Sequence, residues 1–189
     1  MTPLRPLPVY LVAGLIILAS PDAFALDRKA IVTAGDQEHV VVIRQTVPAT
    51  ADRIFGLLHD WSKRPAFEKV PTFDHWDFAA DNPSGVGAWA EYDLRLGDRV
   101  ERQRQVIADE QDGRYIRERS DRPQMPYEVL WLLEPVGDGA ATAVTIALHL
   151  PQNRNWFAGL WQQWSFEPAL KAVYTGLPGQ LTSALATNP

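Results

Sequence analysis

The order of strand-like and helix-like stretches after Glu38 constrains this chain more than any other feature. One strand-like stretch comes first, then two short helical ones. About six more strand-like stretches follow, and then an apolar helical tail. Successive strands joined by short turns pair antiparallel. A sheet of that many strands twists and curves, and its concave face must be covered. The long last helix is the only element large enough to cover it. The expected class is therefore α+β, a helix-grip arrangement. A seven-stranded curved antiparallel sheet wraps around a long C-terminal helix, with two short helices after the first strand. A sheet gripping one helix leaves a hollow, and such hollows hold ligands.

The local signals support each element. His39 to Val47 is β-branched and apolar, and Pro48 ends it because proline has no ladder donor. Thr50 reads as an N-cap. Ala51, Ile54, Phe55 and Leu58 form one helical face. Asp60-Trp61-Ser62 breaks that helix, and a second short one runs to about Pro65 or Phe67. The later strands are expected at Val70 to Ala79, Val86 to Leu96, Arg99 to Asp109, Gly113 to Ser120, Tyr127 to Val136 and Ala141 to Leu150. Turn residues separate them, such as Gly97-Asp98 and Gly137-Asp138-Gly139. In the tail, Leu170, Val173, Tyr174, Leu177, Leu181 and Leu185 recur at helical spacing. Gly176, Pro178 and Gly179 predict a kink or break there.

The first residues read as an export leader: Arg5, the apolar run Val9 to Ala19, then Ala23-Phe24-Ala25 before a cleavage point. Residues 1–25 are thus expected to be removed, with 26–37 a lead-in and 38–189 one domain in the periplasm or outside the cell. The other reading is an uncleaved membrane anchor, but the run is only about half of the roughly 20 residues that span a bilayer. The chain has no cysteine, so neither a disulfide nor a cysteine-linked lipid is available to it. A net charge of −5, nearly evenly spread, argues against non-specific nucleic-acid binding.

Val47-Pro48-Ala49-Thr50 leads into Ile54-Phe55-Gly56-Leu57-Leu58, and Asp60-Trp61 is followed by Pro65. Gly85-Val86-Gly87 precedes a long strand. Trp131-Leu132-Leu133-Glu134-Pro135 precedes Gly137, Gly139 and Thr142-Ala143-Val144-Thr145. In this order the segments resemble the START/Bet v 1-like (SRPBCC) superfamily, in its polyketide cyclase/dehydrase and lipid-transport branch, over roughly Glu38 to Ala186. The resemblance implies a binder of lipids, sterols, polyketides or hormones, and in some members a cyclase or dehydratase. The superfamily has no shared catalytic signature, so no catalytic residue carries over.

Competing motifs fall away in context. Gly85-Val86-Gly87-Ala88-Trp89-Ala90 matches a loose dinucleotide pattern, but a turn precedes it and a strand follows. Asp74, His75 and Asp77 lack a second nearby histidine and read as a solvent face, so no metal is expected. No hydrolase, zinc-protease or nucleotide-triphosphatase motif occurs, and no cofactor is implied.

The stretch from Asp93 to Arg122 holds eight arginines and eight acids. Exposed ion pairs on outer strands explain most of them. The sharper alternative places Arg104 and Glu118 inside as a pair. Trp156, Phe157, Trp161, Trp164 and Phe166 cluster before the last helix, as core packing, a lid, or a surface for membrane or protein contact. Tyr92 and His149 are expected to face the interior. Ala88, Ala90, Ala143 and Ala147 are expected to leave room there.

The candidate ligand-binding residues are Phe55, Trp61, Tyr92, Arg104, Glu118, Trp131, His149, Trp161 and Tyr174. The first function expected is a monomeric, non-catalytic, exported binder or carrier of a hydrophobic small molecule or lipid. The second is a cyclase or dehydratase using Tyr92, His149, Arg104 or Glu118. The third is an interaction module docking through residues 156–166.

Overall fold

Seven strands pair in one antiparallel sheet of order β1-β7-β6-β5-β4-β3-β2. They are β1 (Glu38–Val47), β2 (Phe73–Phe78), β3 (Trp89–Leu96), β4 (Arg99–Gln111), β5 (Tyr115–Ser120), β6 (Glu128–Val136) and β7 (Ala141–Pro151). Helices α1 (Ala51–Leu58) and α2 (Arg64–Phe67) follow β1, and α3 (Glu167–Thr187) closes the chain. The order gives an α+β helix-grip fold. The computed structural model describes residues 38–68, 73–96, 99–121, 127–151 and 167–187. All lie in the unit Ala34–Pro189. The expected leader and lead-in, Trp161 and the aromatic segment 156–166 lie outside the described residues. Among the described residues no helix is long and apolar enough to cross a membrane.

From β2 to β7 each strand pairs with the next in sequence. β1 pairs with β7, from Glu38↔Pro151 to Val47↔Thr142, so the first and last strands lie side by side. The period-two pattern then sorts side chains to two faces. Ala88, Ala90, Tyr92 and Leu94 point inward with Ile107, Ile116, Val129, Trp131, Leu133, Val144, Ile146, Leu148 and Leu150, and join one hydrophobic core. The apolar stripe of α3 (Leu170, Val173, Tyr174, Leu177, Leu181, Leu185) is buried in the same core, and α3 touches β1, β7, α1 and α2.

The start of α1 is built as its residues direct. Thr50 is extended, and its hydroxyl accepts from the Arg53 amide at 3.4 Å. Ala51, Ile54, Phe55 and Leu58 are its buried face. The Thr142 hydroxyl donates to the Ala49 carbonyl at 2.7 Å, tying β7 to the entry of α1. Arg53 reaches across to donate to the carbonyl of Leu185 at 3.1 Å, satisfying an end group of α3.

Two expectations need correction. α3 is one helix of 21 residues and continues through Pro178, so of the kink or break expected at Gly176 to Gly179 the break does not occur. The burial of Leu177, Leu181 and Leu185 on one side outweighs the missing proline donor. β3 starts at Trp89, because Gly85 and Gly87 take positive φ (81° and 91°) and form a turn. That turn is fixed by the Gly87 amide donating to the Ile107 carbonyl at 2.8 Å. The second short helix ends at Phe67, one of the two ends expected; Pro65 stands in its first turn, where a missing N–H costs nothing.

Candidate functional site

Behind α3 the inner face of the sheet is polar at its centre. On β4, Gln103 and Gln105 point inward, both buried, and on β5 Glu118 is wholly buried. The register explains how they meet. Ile107 lies opposite Glu118, so Gln105 is its diagonal neighbour on the same face. Across the next pair Glu118 lies opposite Val129, which places Tyr127 and Trp131 diagonally beside it.

A buried carboxylate needs a counter-charge. Arg64, from the first turn of α2, supplies it. Its Nη2 donates to Glu118 Oε1, and Nη1 donates to Glu68 Oε1 at 3.4 Å. Its Nε donates to the carbonyl of Leu58 at the end of α1, at 2.9 Å. The guanidinium lies over the Trp61 ring, 3.9 Å from the centroid, and 5.9 Å from that of Trp131. Burial works against its charge, but Glu118 and Glu68 outweigh that and hold the pKa above the ordinary arginine value. Glu68 is different. Burial pushes its carboxyl up to about 7, Arg64 pulls it back only in part, and Glu118 pushes it further.

Three phenols complete the centre. The Tyr92 hydroxyl donates to Gln105 Oε1 at 2.9 Å and lies 2.5 Å from the Tyr127 hydroxyl. Gln105 Nε2 donates to the Tyr174 hydroxyl at 3.4 Å, linking the sheet to α3. Burial raises the pKa of all three phenols, so they are neutral groups. The Trp131 and Tyr174 rings meet edge-on at 5.9 Å, and Trp76 packs on Tyr92 at 5.0 Å.

Some buried polar atoms of this centre have no partner: Glu118 Oε2, Gln103 Oε1, Trp61 Nε1 and Trp131 Nε1. Native interiors seldom leave such atoms unpaired, and each needs a reason.

The sequence candidates divide as follows. Phe55, Trp61, Tyr92, Glu118, Trp131 and Tyr174 all lie in the buried interior. Arg104 does not. It is on the outer face of β4, where Nε lies 3.3 Å from Asp121 and Nη1 3.9 Å from Glu91, and its guanidinium covers the Trp89 ring at 4.3 Å. The alternative that pairs Arg104 with Glu118 inside fails for Arg104, and Arg64 is the partner of Glu118. Alternation puts Gln103 and Gln105 inside, so the residue between them must point out. His149 is also outside, with Ala143 and Ala147, because Val144, Ile146, Leu148 and Leu150 take the inner face of β7. These two alanines therefore leave no room inside, whereas Ala88 and Ala90 do face inward. His75 sits at a bulge in β2 with φ 51°, its Nδ1 3.1 Å from Asp93 on the outer face. Among the described residues no group of three or more metal-ligating side chains forms.

Sequence reading missed Arg64, Glu68, Gln103, Gln105 and Tyr127. Gln103 and Gln105 had a signal, since they alternate with arginines that can reach solvent. Arg64 had none, because a four-residue helix has no periodicity to read.

The family pattern described as polyketide cyclase / dehydrase and lipid transport matches residues 38–187. The chain belongs to that family. No match is found among the curated proteins. Solved structures share its fold. TTHA0849 from Thermus thermophilus is 18% identical with a TM-score of 0.64, covering 80% of this chain and 100% of its own. The Zhui aromatase/cyclase from Streptomyces sp. R1128 is 15% identical with a TM-score of 0.58, covering 76% and 93%. Norcoclaurine synthase from Thalictrum flavum, solved with dopamine and hydroxybenzaldehyde, is 11% identical with a TM-score of 0.58, covering 80% and 88%.

Proposed function

We propose that this family member is an exported binding or carrier protein for a hydrophobic small molecule or lipid, held between the inner face of the sheet and α3. The observation that carries the reading is Glu118 Oε2, a wholly buried carboxylate oxygen without a partner. A carrier whose interior served only packing would gain nothing from it, since an unpaired buried polar atom costs about 1–3 kcal/mol. Trp61, Trp131, Tyr92 and Phe55, buried in the same core, offer apolar surface. The leader-like residues 1–25 support export.

An enzyme of the cyclase or dehydratase type is the second reading. It is favoured by one observation: a carboxyl that titrates near neutrality, Glu68, touches the same arginine as Glu118. Docking through residues 156–166 stands as a third reading, motivated by their aromatic content.

Native mass spectrometry of the protein isolated from its own source separates these. The carrier reading expects an additional mass that organic extraction removes. A bare protein mass, together with no saturable binding of an apolar fluorescent probe, would contradict it.

A further inference from the structure

The two edges of the sheet are built differently. β2, at one edge, has six residues, a bulge between Asp74 and Asp77, and His75 at φ 51°. Short length, a bulge and charged side chains are devices that keep an edge strand from pairing with another chain. β1, at the other edge, lacks them along most of its length. It has ten residues and pairs with β7 without a register shift from Glu38↔Pro151 to Val47↔Thr142. Val40-Val41-Val42-Ile43 holds no charge and no proline. Its other edge meets no strand among the described residues, so alternate N–H and C=O groups point away from β7 there.

The strand is also complementary to itself in reverse. Val41 and Ile43 pack inward against the core, so Val40, Val42 and Arg44 take the outer face, where Val42 is 50% exposed. Antiparallel pairing of two copies about a twofold axis at Val41 sets Val40 opposite Val42, His39 opposite Ile43, and Glu38 opposite Arg44. Apolar residues then face each other, and the charges at the ends of the paired stretch are opposite. An axis at Val42 would set Arg44 opposite Val40 and lose that match. Arg44 already donates to Glu134 at 2.8 Å, yet its side chain is 57% exposed and its guanidinium has further donors.

We propose that β1 pairs with β1 of a second copy about a twofold axis at Val41, and that the protein is a dimer with one continuous sheet, in place of the monomer expected from the sequence. The open edge supplies the hydrogen bonds, the outer valines of both copies form one apolar strip, and the opposite charges at positions 38 and 44 fix the register. The pairing uses neither the inner face nor α3, so it stands apart from what the interior binds.

Sedimentation velocity of the protein as its own source produces it, from about 1 μM to about 1 mM, tests the state. The mass is expected to rise towards about twice that of one chain. Val42→Lys brings like charges together across the axis and is expected to stay at the mass of one chain, with its circular dichroism unchanged. The chain has no cysteine, so single cysteines read the register. Val41→Cys is expected to cross-link two copies under mild oxidation, and Val136→Cys, 42% exposed on β6, is not. If Val41→Cys does not fold, Val42→Lys decides. A protein that stays monomeric across the series overturns the proposal, and protection of its Val40 to Thr46 amides from hydrogen exchange would then put another segment of the chain on this edge. A dimer left intact by Val42→Lys, or cross-linked as fully through Val136→Cys as through Val41→Cys, overturns it as well.

Discussion

Arg64 and Glu118 meet inside the protein across 54 residues of sequence, with side chains 2% and 0% exposed. One comes from the four-residue helix α2 and the other from the middle of the sheet. The contact joins α2 to β5 and places a charged pair on the inner face of the sheet. A pair like this is seldom the cheapest way to fill a core, because well-packed apolar residues do as well or better. Its orientation of the second Glu118 oxygen is what an apolar substitute could not reproduce.

Breaking the pair from one side should be costly. Arg64→Met leaves the buried Glu118 carboxyl without its counter-charge, and is expected to lower stability by about 3–5 kcal/mol. The double substitution Arg64→Met with Glu118→Leu should recover much of the loss. Urea denaturation of the two single variants and the double variant measures both. A double variant as unstable as the sum of the singles would contradict the pairing.

Stability should fall as pH rises through the titration of Glu68. Its folded pKa, about 7, lies above its ordinary value of 4.5. Below 4.5 both states hold the proton. Between 4.5 and 7 the unfolded chain releases it first, so unfolding becomes easier as pH rises. The melting temperature is therefore expected to decline across that interval, and Glu68→Gln should remove that part of the slope. A profile identical in wild type and variant would show that Glu68 does not titrate there.

Arg104 should matter little. It is 36% exposed, and such pairs contribute about 0–1 kcal/mol. Arg104→Ala is expected to stay within about 1 kcal/mol of wild type and to leave probe affinity unchanged. A large loss of affinity would place Arg104 at the ligand.

Pro178 interrupts the hydrogen bonds of α3 without ending it. An interior proline costs a helix about 3 kcal/mol relative to alanine. Pro178→Ala is expected to raise stability, by about 1–3 kcal/mol if the surrounding packing is kept. A lower melting temperature would show that the proline shapes the contact of Leu177 and Leu181 with the sheet.

Much of the fold was legible because it rests on local chemistry. Thr50, the face Ala51-Ile54-Phe55-Leu58 and the alternation around Tyr92 and Trp131 each specify an element without distant help. The inward direction of Tyr92 was readable from its neighbours Ala88, Ala90 and Leu94. His149 was misread because both faces of β7 carry apolar residues, so alternation alone could not say which face is inside. The alternative pairing of Arg104 with Glu118 failed because charge complementarity is not register, whereas the reading of exposed ion pairs describes Arg104. Opposite residues in β4 and β5 are set by the bulge between Ile107 and Asp109. Continuity of α3 through Pro178 depends on the sheet it covers and is invisible in the helix itself.

The most direct test of the central claim is nuclear magnetic resonance of the indole N–H signals while an apolar aromatic probe is titrated in. The chain has seven tryptophans, and Trp61 and Trp131 each carry a buried, unpaired indole donor in the inner centre. The account predicts saturable shifts of these two signals, with the backbone signals of Arg104 and His149 unmoved. Saturable shifts confined to the outer face, with Trp61 and Trp131 unchanged, would contradict it.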